Sequence, residues 1–205
     1  RYAGSDNTLG KANVRYIEGV NTLGVDLEDP NAQDDIVVNE LHLPKGKRVI
    51  FKIRSQDVLH SAYMPHFRAQ MNCVPGMVTS FTFVPVRTTA EMRGTEEIIA
   101  KVDHINKLRE KKNKQLALEG KTPLDPYTFD YLLLCNKICG ASHYNMQMKI
   151  VVDSPQEFKA WLKDKPTLAQ AVKTAAEADK KSEETPSTVK DSTKIATDST
   201  SVAVK

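Results

Sequence analysis

Residues 129–152 read FDYLLLCNKICGASHYNMQMKIVV and contain two strand-like runs separated by a loop rich in metal-binding side chains. Phe129–Leu134 is a short apolar run, and Met146–Val152 alternates between apolar and polar residues before it becomes continuously apolar. Runs of this length and pattern are typical of β-strands. The stretch therefore predicts two neighbouring strands joined by the loop Cys135–Met146.

The loop places four potential metal ligands within twelve residues, at the spacing C-x3-C-x3-H-x2-M: Cys135, Cys139, His143 and Met146. Thiolate and thioether sulfur are soft ligands and imidazole is intermediate, so the set suits copper better than calcium, magnesium or manganese. A structural zinc site is usually closed by Cys and His alone, which makes the methionine an argument for copper. Two cysteines four residues apart can also bridge two copper ions.

A histidine far upstream strengthens this interpretation. Two cysteines at this spacing are, by themselves, more often packed thiols than a metal site. His60 follows an alternating, strand-like segment and lies in the run Asp57–Ser61. Together with the histidine and methionine of the loop, it favours a metal site. Cys73 has no ligand partner nearby, and we interpret it as a buried apolar thiol. Other residues of these types are assigned no metal role: His66 lies on the surface or in a loop, His104 on a helix surface and His42 in a strand, while Met71, Met77 and Met148 fill the core.

Further strands are predicted at 37–43, 48–53 and 78–84, each with an alternating pattern and turn signals between them. Strands at this spacing suggest a sandwich or barrel. Between 88 and 126 the pattern changes, because Ile98, Val102, Ile105 and Leu108 recur at the three- and four-residue steps of an amphipathic helix that ends near Gly120. Ser154-Pro155-Gln156-Glu157 fits the capping box of another, short helix.

Three separated segments, in the order found here, resemble the soluble domain of cytochrome c oxidase subunit II. They are Asp57–Ser61, Val74-Pro75-Gly76 and the Cys135–Met146 loop, and a strand and a helix follow them. The resemblance covers roughly residues 36 to 163, with one insertion. It implies an all-β, cupredoxin-like Greek-key sandwich or barrel with an inserted helix and a short C-terminal helix.

The resemblance also implies a dinuclear copper centre, CuA, as the cofactor. Cys135 and Cys139 would bridge both copper ions through their thiolates, and His60 and His143 would each bind one ion. Met146 would be the weak ligand of one copper, and the backbone carbonyl of Lys137 the weak ligand of the other. Shared thiolates form a compact pair whose bonds change little on reduction, so such a centre passes electrons and binds no substrate.

Several residues depart from the family pattern. The residue between the bridging cysteines is commonly a glutamate that contributes to a magnesium site. Lys137 offers only hydrogen-bond donors on its side chain, so we do not transfer the magnesium role to it. Acidic residues linked to the docking of cytochrome c are replaced by Gln56 and Asn72, and a usual arginine by Met77. These losses suggest an electron donor that is held nearby in a larger assembly, because less electrostatic steering is then needed.

Composition is that of a soluble globular domain with flexible additions: 205 residues, 27% charged, 40% hydrophobic, net charge +3. No apolar run is long enough to predict a transmembrane helix. We expect a lead-in at 1–35, the copper domain at 36–164 with a helical insertion at 88–126, and a low-complexity, disordered tail at 165–205. Arg1 reads as the interior of a longer chain, and the resemblance implies a membrane anchor upstream. It places the domain on the periplasmic face of the bacterial inner membrane.

The implied function is that of the electron-transfer subunit of a haem–copper terminal oxidase, a proton-pumping oxidoreductase whose oxygen chemistry lies in subunit I. Electrons would come from cytochrome c, soluble or complex-bound, and pass to haem a. Expected partners are cytochrome c or a c-type haem subunit, subunit I and other membrane subunits, and no nucleic acid.

Two alternatives remain open at this point. The CuA domain of nitrous oxide reductase shares the loop spacing, although it commonly has a tryptophan between the cysteines, where this chain has Lys137 and Ile138. A copper chaperone would bind one labile Cu(I) instead of two coppers that share an electron. A copper-free quinol oxidase subunit conflicts with the complete ligand set.

Overall fold

Two β-sheets form the centre of the protein in a computed structural model that describes residues 1–4 and 7–183. The strands are β1 (Leu41–Pro44), β2 (Val49–Ile53), β3 (His60–Met64), β4 (Ala69–Cys73), β5 (Thr79–Phe83), β6 (Tyr131–Leu134) and β7 (Gln147–Asp153). One sheet has the order β1-β7-β6-β3-β4, and β2 pairs with β5 in the other. β1 runs parallel to β7, the last strand, while the other pairs are antiparallel.

The hydrophobic core lies between the sheets. Its buried members include Leu43, Met64, Ile150 and Val152 from the five-stranded sheet, and side chains of β2 and β5 pack against them. Aromatic rings connect the layers, because Phe67 lies 4.9 Å from the ring of Phe83 on one side and 4.6 Å from that of Tyr131 on the other. Offset aromatic pairs of this kind add to the stabilisation from burial. The predicted β-sheet class, with an inserted helix and a short C-terminal helix, is confirmed.

The strand predictions need two corrections. β1 begins at Leu41 rather than at 37, because Ile36 forms an isolated bridge with Tyr2 and the chain bends at 39–40. β3 and β4 were not predicted, and His60 opens β3 instead of following a strand. Small or polar residues such as Ser61 and Ala62 occupy buried positions of β3, so the apolar pattern that marks a strand is missing there.

The insertion between β5 and β6 forms two helices, α1 (Thr89–Arg93) and α2 (Glu96–Leu118). Ile98 is buried, and Val102 packs against the core as the amphipathic pattern predicts. Leu108 is exposed, so the predicted apolar face is buried only over the first part of α2. The second part therefore extends beyond the core.

The helix α3 (Pro155–Lys163) begins with the predicted capping box, in which Ser154 and Glu157 satisfy each other's backbone N–H groups. Its Trp161 stacks on His42 at 3.9 Å between ring centres and lies edge-on to Tyr2. His42 also pairs with Asp153 at 2.5 Å. The structural role predicted for His42 is consistent with these contacts, which fix α3 on the sheet.

A second small core joins the lead-in to a fourth helix, α4 (Leu168–Glu183). Leu168 is buried with Val25 and Ala32, and its N–H donates to the Asp35 carbonyl at 2.7 Å. The segment expected to be a disordered tail from 165 thus begins with a helix packed on the lead-in. The division into three regions stays a prediction, and the expectation for 184–205 lies outside the described residues.

Among the described residues, no helix combines the length and apolar character that a membrane span requires.

Candidate metal centre

The six residues predicted as ligands lie together at one end of the five-stranded sheet. His60 comes from the first position of β3, and the others come from the loop between β6 and β7. The loop is closed at its base, because the Cys135 N–H donates to the Met146 carbonyl at 3.2 Å and Leu134 pairs with Gln147. The connection therefore acts as a hairpin loop whose two ends are fixed by the strands.

The distances between the donor atoms define a compact cluster around two sulfur atoms. Sγ of Cys135 and Sγ of Cys139 lie 3.7 Å apart. Nδ1 of His60 lies 3.9 Å from the first sulfur, and Nδ1 of His143 lies 3.5 Å from the second. The Lys137 carbonyl is 3.4 Å from Sγ of Cys135, and Sδ of Met146 is 3.8 Å from Sγ of Cys139. Each sulfur is therefore flanked by one imidazole and one weaker donor.

Local backbone structure aims the loop side chains. His143–Asn145 forms a single 3-10 turn. At its start, the His143 N–H donates to the Gly140 carbonyl at 3.1 Å. Gly140 has φ of 134°, a conformation that residues with a Cβ atom rarely adopt. The glycine thus reverses the chain after Cys139 and returns His143 and Met146 towards the sulfurs.

Asp57 orients His60. Its Oδ1 lies 2.8 Å from Nε2 of the imidazole, and this hydrogen bond raises the pKa of His60. Because a carboxylate can only accept, Nε2 donates its proton to Asp57, and Nδ1 is the ring nitrogen that faces the sulfurs. Histidine ligands of metals are commonly held by such an outer carboxylate. The sequence analysis missed this role, although an aspartate three residues before the histidine was a visible signal.

A hydrogen-bonded pair joins the two segments that carry His60 and Cys135. The Asn136 N–H donates to Oγ of Ser61 at 2.9 Å, and the Ser61 hydroxyl donates to Oδ1 of Asn136. Ser61 is buried and directly follows His60. The pair therefore fixes the distance between the strand β3 and the loop. Nothing in the sequence indicated that these two residues would meet.

Cys73 is buried, as predicted, but the expectation that no ligand lies near it is wrong. It ends β4 and is paired in register with His60 on β3. Burial raises the pKa of the Cys73 thiol, and the proximity of Cys135 adds to the effect. Cys73 therefore belongs to the surroundings of the cluster. The sequence did not predict this proximity, because it depends on the β3–β4 pairing, which the apolar pattern did not reveal.

The two loop thiols differ in acidity. Burial opposes ionisation of Cys135, but hydrogen bonds with the backbone of Lys137 and Ser61 and with the His60 and Cys139 side chains lower its pKa to about 6. The pKa of Cys139 is raised by burial and by the neighbouring Cys135. One thiolate is thus available at neutral pH, and a second forms when a cation arrives, because metal binding releases protons from its ligands.

This difference predicts a pH-dependent reactivity of the metal-free protein. Since the thiolate is the nucleophile, alkylation of Cys135 by iodoacetamide should accelerate as the pH rises and reach half its plateau near pH 6. Cys139 and Cys73 should react only at higher pH. Peptide mass spectrometry after timed alkylation measures all three, with Cys135→Ser as the control for assignment. A midpoint for Cys135 near the ordinary thiol value of about 8.5 would contradict the prediction.

Three large side chains of the loop that carries the thiols face solvent. Ile138 is 96% exposed and Tyr144 is 90% exposed, and Met146 is partly exposed beside them. Met77, which was assigned to the core, is 54% exposed in the loop after Cys73, so that assignment is wrong. We call Ile138, Tyr144 and Met146 the loop surface. Large side chains exposed on one short loop make it a candidate contact site.

The donor set can hold a metal ion. The ligand atoms of His60, Cys135 and Cys139 all lie within 4.8 Å of one another. Both cysteines are free thiols, so both are able to bind metal. Two thiolates, two imidazoles and a thioether form a soft, nitrogen- and sulfur-rich environment that is poorly suited to hard cations.

Comparison with known proteins gives consistent results. The family model for the periplasmic domain of cytochrome c oxidase subunit II matches residues 18–105, which include His60 and end within α2. The alternative cytochrome c oxidase subunit 2 of Bradyrhizobium diazoefficiens is 37% identical over 171 residues, which is 82% of this chain and 47% of the relative. Cytochrome c oxidase subunit 2 of Thermostichus vulcanus is 26% identical over 136 residues, which is 66% of this chain and 29% of the relative.

A solved structure, the periplasmic domain of subunit II of cytochrome oxidase of Bradyrhizobium japonicum, is similar with a TM-score of 0.40 and 18% identity. The match covers 71% of this chain and 68% of that chain. The chain spans less than half the length of each of the two sequence relatives from Bradyrhizobium diazoefficiens and Thermostichus vulcanus.

Proposed function

The chain belongs to the cytochrome c oxidase subunit II family, and on that premise we propose that it is the electron-transfer domain of a haem–copper oxidase that holds two copper ions. The observation that carries the proposal is the pair of sulfur atoms 3.7 Å apart, each with one imidazole beside it. A single-copper site of the blue type needs only one cysteine. A second thiolate and an imidazole at each sulfur fit a pair of ions.

The proposed ligands are His60, Cys135, Lys137 through its carbonyl, Cys139, His143 and Met146. When bound, a dinuclear copper centre that shared the two thiolates would supply one-electron transfer with little change in bond length. The protein contributes the fixed positions of the ligands: Asp57 holds the His60 ring, and the Ser61–Asn136 pair holds the loop against β3. Because the ligands cannot move far, the reorganisation that accompanies a change in charge stays small. The magnesium role of the family is not proposed, since Lys137 offers no side-chain acceptor.

The loop surface is the proposed contact for the electron donor. Ile138 and Tyr144 are exposed on the loop that carries the thiols, so they offer a surface that the edge of a haem can contact. We propose that the donor is cytochrome c or a c-type haem subunit, and that it is held nearby in the assembly. Gln56 and Asn72 take the places of acidic residues, which supports weak electrostatic steering.

Weak electrostatic steering predicts that the rate of electron transfer depends little on salt concentration. Electron transfer from free cytochrome c to the copper-loaded domain should change less than about threefold between low and physiological ionic strength, because few charge pairs are screened. Stopped-flow mixing at several salt concentrations measures this rate. As a matched control, Gln56→Glu together with Asn72→Asp should steepen the dependence. A steep loss of rate with salt in the unaltered protein would favour ordinary diffusional docking.

The rest of the assembly is also part of the proposal. Electrons would pass to haem a of subunit I, where oxygen is reduced and protons are pumped. The domain would lie on the periplasmic face of the bacterial inner membrane and be anchored through segments upstream of this chain. Nothing in the family match supports a nitrous oxide reductase or a copper chaperone.

Substitution of Met146 tests how similar the two proposed copper sites are. A thioether is a weak ligand, so Met146→Leu should retain both coppers while it shifts the reduction potential and makes the two sites less equivalent. Copper analysis and voltammetry of the loaded domain measure the two effects. Met148→Leu is a matched control, because Met148 lies on the adjacent strand β7 outside the cluster and should change neither quantity. Loss of copper in Met146→Leu would show that the thioether is a principal ligand instead.

The function as a whole is tested on the full-length protein in its source membranes. Affinity purification should recover a haem-containing subunit I, and the complex should consume oxygen with reduced cytochrome c. Cys139→Ser should assemble with the same subunits but lose most of this activity. Purification without any haem subunit would overturn the proposal.

A further inference from the structure

The outer part of the insertion is a rigid arm with an unusual charge. We define the basic arm as residues 104–127, the second part of α2 and the segment that returns along it. Asn106 and Asn113, two helical turns apart, each exchange two hydrogen bonds with the returning backbone, at Tyr127 and Leu124 respectively, with lengths of 2.7 to 3.2 Å. The Arg109 guanidinium lies over the Tyr127 ring at 5.5 Å and donates to the Asp125 carbonyl.

These contacts hold the arm together without help from the main core. Among the described residues, the apolar contacts of α2 with the core come from Ile98 and Val102, both before the arm begins. Paired amide hydrogen bonds fix an extended segment against a helix with defined register. The result is a preformed projection instead of a flexible loop, and a preformed surface loses little conformational entropy when it binds.

The arm carries as much net positive charge as the whole chain. Residues 104–127 contain six basic residues, Lys107, Arg109, Lys111, Lys112, Lys114 and Lys121, against the acidic Glu110, Glu119 and Asp125, which gives a net charge of +3. The net charge of the complete chain is also +3. The remainder of the protein is therefore formally neutral, and the positive field is concentrated on the arm.

One face of the helix presents this charge outward. Lys107, Lys111, Lys114 and Leu118 follow one another at steps of four, three and four residues, which places them in one stripe. All four are exposed, and Leu118 is 91% exposed. In the described part of the chain, the ion pairs include none of these three lysines, whereas Lys121 pairs with Glu119 at 2.8 Å. The stripe thus offers three unpaired cations and one large apolar group.

The arm joins the sheet away from the metal cluster. The insertion enters β6 at Tyr131, and the loop with Cys135 leaves β6 after Leu134, at the opposite end of the strand. The arm is therefore separate from the loop surface proposed for the electron donor. Its role does not depend on the metal or on the proposed function.

We propose that the basic arm is a docking element for an acidic surface of a partner protein, with Lys107, Lys111 and Lys114 facing carboxylates and Leu118 filling an apolar contact beside them. Charge complementarity selects this partner and sets its orientation. A membrane surface fits less well, because interfacial helices use a broad aliphatic and aromatic face opposite their lysines. The stripe offers Leu118 alone, and the arm's aromatic residues are His104 and Tyr127, of which Tyr127 lies under the Arg109 guanidinium. Single-stranded nucleic acid is disfavoured because the stripe itself has no ring on which bases could stack.

Site-specific crosslinking tests the proposal in the full-length protein in its source membranes. A photo-crosslinking amino acid is placed at Leu118, and at the exposed Ile50 of β2 as the control position. Mass spectrometry should identify adducts of the Leu118 probe with a protein peptide that contains several Asp or Glu residues. Adduct yield should fall about tenfold when Lys107, Lys111 and Lys114 are all changed to Gln, and should persist when all three are changed to Arg.

Reversing the charges of the lysines, and then those of the partner's carboxylates, gives the decisive test. Lys107→Glu, Lys111→Glu and Lys114→Glu should abolish the adduct, and Lys replacements of the mapped partner carboxylates should restore it. Adducts with phospholipid, adducts no more abundant than those at Ile50, or a yield unchanged by the Gln substitutions would each overturn the proposal. Because the stripe is exposed and outside the core, circular dichroism should report a native fold in every variant.

Discussion

Cys135→Ser or Cys139→Ser should abolish the two-copper centre. A serine hydroxyl keeps its proton at neutral pH and is a hard donor, so it cannot replace a thiolate that is shared by two soft ions. The copper content of the loaded domain should fall from two per chain to one or none, and the absorption bands of a delocalised thiolate–copper pair should disappear. Copper analysis together with visible spectra measures both effects.

Cys73→Ser is the matched control for this prediction. Cys73 is a buried cysteine beside His60 but lies outside the group of ligand atoms that could share a metal. Its substitution should cost stability, because a hydroxyl is then buried, and should leave two coppers bound. A normal delocalised spectrum in either loop variant, or loss of copper in the control alone, would contradict the bridging roles of Cys135 and Cys139.

His60→Ala should remove the ligand that comes from the distant strand. The imidazole is held by Asp57 at 2.8 Å and directs Nδ1 at the sulfurs, so its loss leaves one copper without a strong nitrogen donor. We expect copper affinity to fall by at least about a hundredfold, which is the upper end of the loss seen when only an outer partner is removed. Competition with a chelator of known affinity measures this loss.

Two comparisons make the His60 prediction specific. His104→Ala removes an exposed histidine of α2 and should leave copper binding unchanged. Added imidazole should partly restore the spectrum of His60→Ala, because a small ligand can enter the space that the side chain leaves. Unchanged affinity in His60→Ala would mean that the loop alone holds the metal.

The metal-binding loop and several helix features were predictable because each depends on residues close together in the sequence. Cys135, Cys139, His143 and Met146 lie within one connection, and their spacing alone defines the donor set. The capping box at Ser154 and the buried Ile98 of α2 were likewise visible as short-range patterns. In each case the residues that interact are neighbours in sequence, so local stereochemistry decides the outcome.

The features that were missed depend on pairings between distant segments. Ser61 and Asn136 are 75 positions apart, and neither has a composition that signals the other. Cys73 meets His60 only because β3 pairs with β4, and β3 has too few large apolar residues to be recognised as a strand. Leu168 lies in an alanine- and lysine-rich segment, yet it is buried by Val25 and Ala32 from the lead-in. Tertiary packing, not local pattern, determines each of these contacts.

Electron paramagnetic resonance of the copper-loaded domain tests the central claim most directly. If two coppers share one unpaired electron through the thiolates of Cys135 and Cys139, the hyperfine pattern should arise from two equivalent copper nuclei. A pattern from a single copper nucleus would contradict the account.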